Sequence, residues 1–474
     1  MYLGIDIGTT RLKINILNDE GKLVIEDSEK ISPYFGPNGE AEIDPFRWID
    51  GIKNLLKKYD LKDVKAIGLS GQMHSLILID EKGNPIRKAI LWADSRGHEE
   101  VEYLEAKYYD IILKHCGSLP SNAFTLVKLL YLSKTEPQSI EKAHKFCLSK
   151  DFVGGWLTGN YDTDLTDASA TLMLDVQKGE WFWDLIEELK IPKRIFPNIH
   201  KSLEVRGYLK KEVADVLNLK PDIPVVYGAG DQEAAAFGVQ VIKPESVMFS
   251  ISTGSQIVVP VQSMITDRRI HNFRHIEGFH IMGAVQNAGL AIEWAINTFG
   301  FKDADELTQL ALKSPVGSNG VVFLPYITPE RTPIMKKDTF SGIVNLRSGN
   351  NRNDAARSIL EGVAFCVYDA WRCVQEILSL EEPEITMLGG VSKNPIVRDS
   401  LLNLMNAKIK FLSENLDPSS FGAAVMAGKI NGRFDKIENI LEKMVVETAN
   451  ARQKNEYLEK YEHFLNVRKK LLNV

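Results

Sequence analysis

The chain opens on a pattern that sharply limits how it can fold. A short apolar strand, Tyr2–Asp6, runs into the turn Gly8-Thr9-Thr10 and out along a second strand, Lys13–Leu17. A third strand, Lys22–Ile25, follows a turn around Gly21. Glycine and hydroxyl residues supply the turn chemistry of such a meander. The pattern returns near residue 246 as Val247–Ser250, the turn Ser252-Thr253-Gly254-Ser255, and Gln256–Val261. Later, Ile385–Leu388 runs into Gly389-Gly390 much as Ala66–Leu69 runs into Ser70-Gly71. The spacing is far longer than a solenoid repeat and points to a weak internal duplication. Two similar domains, 1–243 and 244–474, would then meet with their glycine turns facing one cleft. Val241–Ser246, with Pro244, is the expected linker.

Between these landmarks strands and helices mix, the signature of α/β architecture. Asp44-Pro45 opens a helix through Lys58, with proline near its first position. Strands are expected at Val64–Leu69, Ser75–Ile79 and Ala89–Trp92. A long helix is predicted over Asn353–Leu380, with Ala355, Ile359, Val363 and Val367 near one face. Ala451–Leu472 places Tyr457, Tyr461, Phe464, Leu465 and Leu472 at helical spacing and reads as a docking helix.

Composition narrows the function classes. The 474 residues are 44% hydrophobic and 25% charged, near the globular average, which argues against disorder. At roughly 100–200 residues per domain the length allows two to four domains. Apolar runs such as Leu76–Ile79 fall far short of the ~20 residues of a membrane span. Asp6 interrupts any signal-peptide core. The expectation is a cytoplasmic protein with no membrane partner. The net charge of -6 speaks against a general nucleic-acid surface, so an anionic ligand must be held by local donors. The cysteines, Cys116, Cys147, Cys366 and Cys373, form no C-x-x-C pair and read as reduced core thiols.

Three constellations carry chemistry. In Gly4-Ile5-Asp6-Ile7-Gly8-Thr9-Thr10, with Lys13 beyond, backbone N–H groups can approach a phosphate without Cβ obstruction. Lys13 adds a point charge, and Asp6 suits a magnesium ion held through water. An ordinary hairpin is the alternative, weakened by the echo at Ser252–Ser255, since two turns can clamp a polyphosphate. Gly228-Ala229-Gly230-Asp231-Gln232 follows the apolar strand Ile223–Tyr227 and offers a carboxylate as general base. Asp231 as cap of a helix Glu233–Gly238 is the structural reading beside it. Ser70-Gly71-Gln72-Met73-His74 supplies groups that hydrogen-bond a polyol, or simply a satisfied histidine. His271, His275 and His280 read as part of a hairpin, Phe273–Met282 turning at Glu277-Gly278, and complete no zinc pattern. Arg268-Arg269 reads as solvated.

With these stretches in view, nearly the whole chain resembles the FGGY carbohydrate kinases, of the sugar-kinase, chaperone-ATPase and actin superfamily, and looks most like the xylulokinases. The matching stretches are Tyr2–Thr9, Gly71–His74, Ala89–Arg96, Phe124–Leu130, Leu148–Asp151, Asp164–Val176, Gly228–Ala234, Ile251–Ser255, Glu330–Pro333 and Arg357–Phe365. The resemblance implies two actin-like, ribonuclease H-like ATPase domains with an interdomain cleft. It also implies ATP and Mg2+, and transfer of phosphate to a ketopentose, D-xylulose first, in xylose metabolism. By the same resemblance Asp231 matches the catalytic base, and Asp6 an acidic residue acting through magnesium. Met73, His74 and Gln232 match positions that contact the ketose. Gly8, Thr9, Thr10 and Lys13 match the first phosphate loop, Thr253 and Gly254 the second. Gly389 and Gly390 match the glycine pair beside adenosine.

Several residues depart from the family pattern: Arg11, Gln232, Pro329, Tyr131, and the loosened signature at Phe340–Val344. Ser75 and Trp92-Ala93-Asp94 also look like gluconokinases, and Arg96 is a cation that could turn inward to an acid sugar. L-ribulose, D-ribulose and gluconate therefore stay as alternative substrates. An actin- or chaperone-like ATPase that binds protein stays as an alternative class, and a homodimer is left open.

Overall fold

The computed structural model describes residues 1–412, 416–434, 444–449 and 453–473. The opening strand runs Tyr2–Ile7 and pairs antiparallel with Arg11–Leu17, placing Asp6 opposite Lys13. Its other side pairs parallel with Ala66–Gly71, so that Asp6 lies beside Ser70. Pro224–Val226 and Ala229–Gly230 extend the parallel set on the far side of Ala66–Gly71, with Gly230 beside Gly71. Leu23–Lys30 and Val205–Tyr208 form the two edges. The third strand runs past Ile25 to Lys30 because it pairs along its length with Arg11–Leu17; its polar end, Glu26–Lys30, shows no apolar run that marks it in the sequence.

The second sheet repeats this plan. Ser246–Ile251 is antiparallel to Ser255–Val261 and parallel to Glu384–Leu388, which is parallel to Lys408–Leu412. His271–Arg274 with Phe279–Val285, and Met444–Thr448, complete it. The duplication is thus one of topology: each sheet centres on a strand between its own hairpin partner and a parallel strand that arrives by a crossover. Between the two sheets Val241 is buried and Ser246 already belongs to a strand, while Lys243, Pro244 and Glu245 are exposed, so the expected linker is a short exposed turn anchored at both ends.

Helix Phe46–Leu56 covers the first sheet with Trp48, Ile49, Ile52, Leu55 and Leu56. Helix Arg352–Leu378 underlies the second. Asn351 and Asp354 form a capping box at its start, and Ser379, in left-handed conformation, ends it. Ile359, Val363 and Val367 are fully buried, while Ala355 is half-buried. The terminal helix, Lys454–Leu472, docks on it through contacts of Tyr461 and Phe464 with Phe365; positions 451 and 452 lie outside the described residues. The four cysteines are buried and free. Among the described residues no helix is long and apolar enough to cross a membrane.

One helix crosses between the halves. Pro418–Lys429 lies in sequence between two strands of the second sheet, Lys408–Leu412 and Met444–Thr448, yet packs against the first. Its approach is so close that a Cβ on Gly4 would stand 2.0 Å from the Ser420 carbonyl oxygen, and one on Gly68 would stand 1.9 Å from that of Ala423. Both neighbours are backbone and have little room to yield. Gly68→Ala should therefore lower unfolding stability by about 1–3 kcal/mol or more, the range for overpacked cores. Urea denaturation checks this; a wild-type midpoint would mean that the helix retreats without cost.

Candidate active site

Parallel strands that end on one level place their C-terminal residues side by side, where open α/β sheets bind ligands. Here that register brings Asp6, Ser70 and the Gly230-Asp231 step together. Ser70 Oγ donates to Asp6 Oδ1 at 3.1 Å. Lys13, across the hairpin, holds its Nζ 3.9 Å from Asp6 and 2.6 Å from Asp417 Oδ1. Asp417 in turn caps the crossing helix, accepting from the Ser420 N–H at 2.9 Å. Burial pushes the Asp6 carboxyl up to about 7; the Lys13 charge opposes this, while Asp417 and Asp231 add to it.

Asp231 does not cap a helix. Its helix runs Asp231–Gly238 with Gly230 as N-cap, so Asp231 is already helical, whereas a cap residue sits outside the helical conformation. Burial pushes Asp231 up to about 6, opposed by the Gln232 backbone and side chain and by the Lys13 charge, which favour its ionised form. The loop before it is fixed from below. The Gly230 N–H donates to Thr166 Oγ1 at 2.9 Å, and that hydroxyl donates to Asp164 at 2.7 Å. Asp164 lies 2.8 Å from Lys150, which also meets Asp151 at 2.8 Å and Asp167 at 3.2 Å, all fully buried.

Asp6, Gly8, Thr9, Thr10, Lys13, Met73, His74, Asp231, Gln232, Thr253, Gly254, Gly389 and Gly390 all line one cleft of about 1360 Å³. That exceeds the ~300–1,000 Å³ of a typical single-ligand pocket. The glycine turns are needed for reasons the sequence did not indicate. Neither Gly8 nor Gly254 has a positive φ. A Cβ on Gly8 would come 2.6 Å from the Arg11 carbonyl oxygen, and one on Gly254 would come 2.7 Å from that of Val285. Gly389 does adopt φ 91° and sits against Ile251, while Gly390 faces open space. The Thr9 hydroxyl is already engaged, donating to Gln72 Oε1 at 3.0 Å and accepting from Trp92 Nε1 at 2.9 Å.

At the other end of the cleft His74 takes a left-handed φ of 68°. Its Nδ1 meets the Ala170 carbonyl at 2.5 Å, and burial pushes the ring down to about 3. The ring is therefore neutral with Nδ1–H donating, which leaves Nε2 as an acceptor. Gln232 Oε1 is buried without a hydrogen bond among the described residues. Lys128 is spent on the carbonyls of Asn122, Ala123 and Phe124. Arg96 does not turn inward: it is bonded to Asp94 and Glu42 and stacks on Tyr131. Arg11 donates to Ser28, Arg269 pairs with Asp267, and His280 Nε2 lies 3.3 Å from buried Glu233 with burial favouring the neutral form of both. Gln72, read from sequence as a polyol-binding group, lines the cleft but accepts from Thr9; Lys150, Asp164, and the cleft-lining Asp417 and Arg331 were not singled out as site residues from sequence.

This geometry coincides with a family assignment. The models of the "FGGY family of carbohydrate kinases" match residues 1–238 with the N-terminal domain and 249–429 with the C-terminal domain. This chain belongs to the FGGY family of carbohydrate kinases. A xylulose kinase of Staphylococcus epidermidis is 31% identical over 98% of this chain and 95% of its own. A ligand-bound xylulose kinase from Lactobacillus acidophilus superimposes with TM-score 0.91 at 26% identity, covering 99% of this chain and 98% of its own. A gluconate kinase from the same organism matches equally, TM-score 0.91 and 26% identity, over 99% and 97%. An FGGY kinase uses ATP, and the protein-binding ATPase reading is set aside.

In this FGGY kinase the two turns can be tested directly. Gly8→Val and Gly254→Val should each weaken ATP binding at least ~10-fold, about the worth of one hydrogen bond to a charged group. Titration calorimetry reads this. Wild-type affinity in both variants would make the turns structural only.

Proposed function

We propose that this carbohydrate kinase phosphorylates D-xylulose at its C5 hydroxyl, with Asp231 as general base. The observation that carries this reading is a buried carboxylate poised near neutrality, between neutral polyol-binding groups and two phosphate-sized turns. At pH 7 a base with a value of about 6 is mostly ionised yet still close enough to accept a proton efficiently. The His74 Nε2 acceptor and the unpaired Gln232 oxygen suit sugar hydroxyls, and Met73 supplies an apolar wall. The relatives named xylulose kinase support the choice of ketose.

In this reading, residues 1–243 carry the sugar and the base, and 244–474 carry the nucleotide. Asp231 takes the hydroxyl proton as the sugar oxygen attacks the γ-phosphoryl in line. Gly8, Thr9, Thr10 and Lys13 face the phosphates from one side, Thr253 and Gly254 from the other, and Gly389-Gly390 border the adenosine. Closure of the cleft excludes water and limits futile hydrolysis. No cluster of three or more metal-ligating side chains exists among the described residues. The site still fits magnesium, which keeps several waters and needs only one or two carboxylates besides the substrate phosphates. Asp6 would hold it through water, and the bound ion would supply charge neutralisation on the phosphates.

Asp231→Asn should keep the fold and ATP binding while turnover falls about 10²–10⁴-fold. Near-normal turnover in the folded variant would reject the base. Because Asp231 acts as a carboxylate, wild-type kcat/KM should fall as pH drops through about 6; a flat profile to well below that value would also reject it. A coupled ADP assay over D-xylulose, L-ribulose, D-ribulose, gluconate and glycerol tests the substrate. D-xylulose should give the highest kcat/KM, with L-ribulose next; gluconate in first place would overturn the ketose reading.

A further inference from the structure

Resting on the sugar-kinase reading, we propose that Arg331 is a substrate-binding residue whose guanidinium fastens the end of the sugar that is not phosphorylated. It reaches that end from the second half of the chain and lines the cleft together with Met73, His74, Asp231 and Gln232. Its guanidinium makes no hydrogen bond and no ion pair to any described residue; only its backbone is bonded, the N–H to Glu330 Oε1 at 2.8 Å and the carbonyl from the Met335 N–H at 2.7 Å. This sets it apart from Arg87, Arg96 and Arg206, which are all bonded to carboxylates.

The adjacent acid does not fill the gap. The Glu330 carboxylate is used by backbone and amide donors: the N–H groups of Gln286 at 2.7 Å and Arg331 at 2.8 Å, and Asn287 Nδ2 at 2.9 Å. On the other side, Thr332 exchanges bonds with both backbone groups of Ala284. The segment is therefore stitched on both flanks of Arg331, by Thr332 to strand Phe279–Val285 and by Glu330 to Gln286 and Asn287 just beyond it. The backbone is fixed while the side chain is left for a ligand. Burial lowers Arg331 from its ordinary value, as expected of a cation short of acceptors.

Its position along the cleft selects the ligand. The Arg331 charge adds to burial in holding down His74 and His271, which places it at the His74 end. Lys13 and the Gly8 turn lie beside Asp6 instead, at the Asp231 end. A sugar with its reacting hydroxyl at Asp231 would thus extend its far end toward Arg331. A guanidinium fork needs oxygen acceptors. A ketose offers its carbonyl and a neighbouring hydroxyl, and an aldonate offers a carboxylate at the corresponding end. The cleft therefore does hold a cation for an acid sugar, and it is Arg331 rather than Arg96.

The test compares wild type, Arg331→Met, Arg331→Lys and Arg331→Gln on whichever panel sugar the wild type phosphorylates best, and on gluconate. Losing charge-assisted bonds should raise the sugar KM roughly 10- to 100-fold in Arg331→Met. Arg331→Lys should recover part of this. The KM for ATP should stay within about twofold, and any gluconate turnover should vanish in Arg331→Met. A sugar KM within about twofold of wild type in variants that melt like wild type would overturn the proposal. So would a parallel rise in the KM for ATP. If Arg331→Met fails to fold, Arg331→Gln and Arg331→Lys decide by the same criteria. A wild type that prefers another sugar would reject D-xylulose as substrate without touching Arg331, since the variants are then compared on that sugar.

Discussion

Everything at the site depends on parallel strands ending on one level. Ile7, Gly71 and Gly230 stand in register, so the residues at their ends crowd into a small volume. That crowding buries Asp6 and Asp231 near each other and near Asp417, with Lys13 held closest to Asp417. Charges gathered this way cost folding free energy, and both carboxyls are pushed up toward neutrality as a result. The cost is of the kind that functional sites carry against stability. In the proposed reading the same burial leaves Asp231, as general base, close to neutral pH, where proton transfer is most effective.

Holding that geometry requires support on two sides. From below, fully buried Lys150 gathers three aspartates and passes order through Asp164 and Thr166 to the Gly230 N–H. Removing one partner from such a network leaves uncompensated charge, a loss of about 3–5 kcal/mol. From above, the crossing helix Pro418–Lys429 lies directly on the glycine-bearing strands. Its cap, Asp417, bonds Lys13, so one carboxylate fixes both the helix start and the lysine of the first hairpin. The two halves are joined at the site itself as well as by the chain between them.

The cleft divides its chemistry along its length. At one end the Gly8 turn stands against the Arg11 carbonyl and Asp6, with Lys13 beside Asp6. Elsewhere the same cleft is lined by neutral His74, by Gln232 with its unpaired oxygen, and by Arg331 from the second half. In the proposed reading a sugar that touches both Asp231 and Arg331 is held by both halves at once.

Much of this was legible in the residues. Alternation, glycine turns and the echo at residue 246 fixed the strand pairs and the duplication, because hairpins and strand ends are local. The resemblance gathered thirteen candidate residues, and the folded chain lines one cleft with all of them. Tertiary structure decided the rest. Asp417 lies about four hundred positions from Lys13, and no periodicity links them. Arg96 and Arg331 look alike in sequence, yet one is bonded by Asp94 and Glu42 while the other faces the cleft, a difference set by which carboxylates fold within reach. Gly8 and Gly254 were readable as turn residues, but the need for glycine comes from carbonyl oxygens brought close by strand pairing. A sequence encodes which groups are present and their local conformations; partners for charge and space come only from long-range packing.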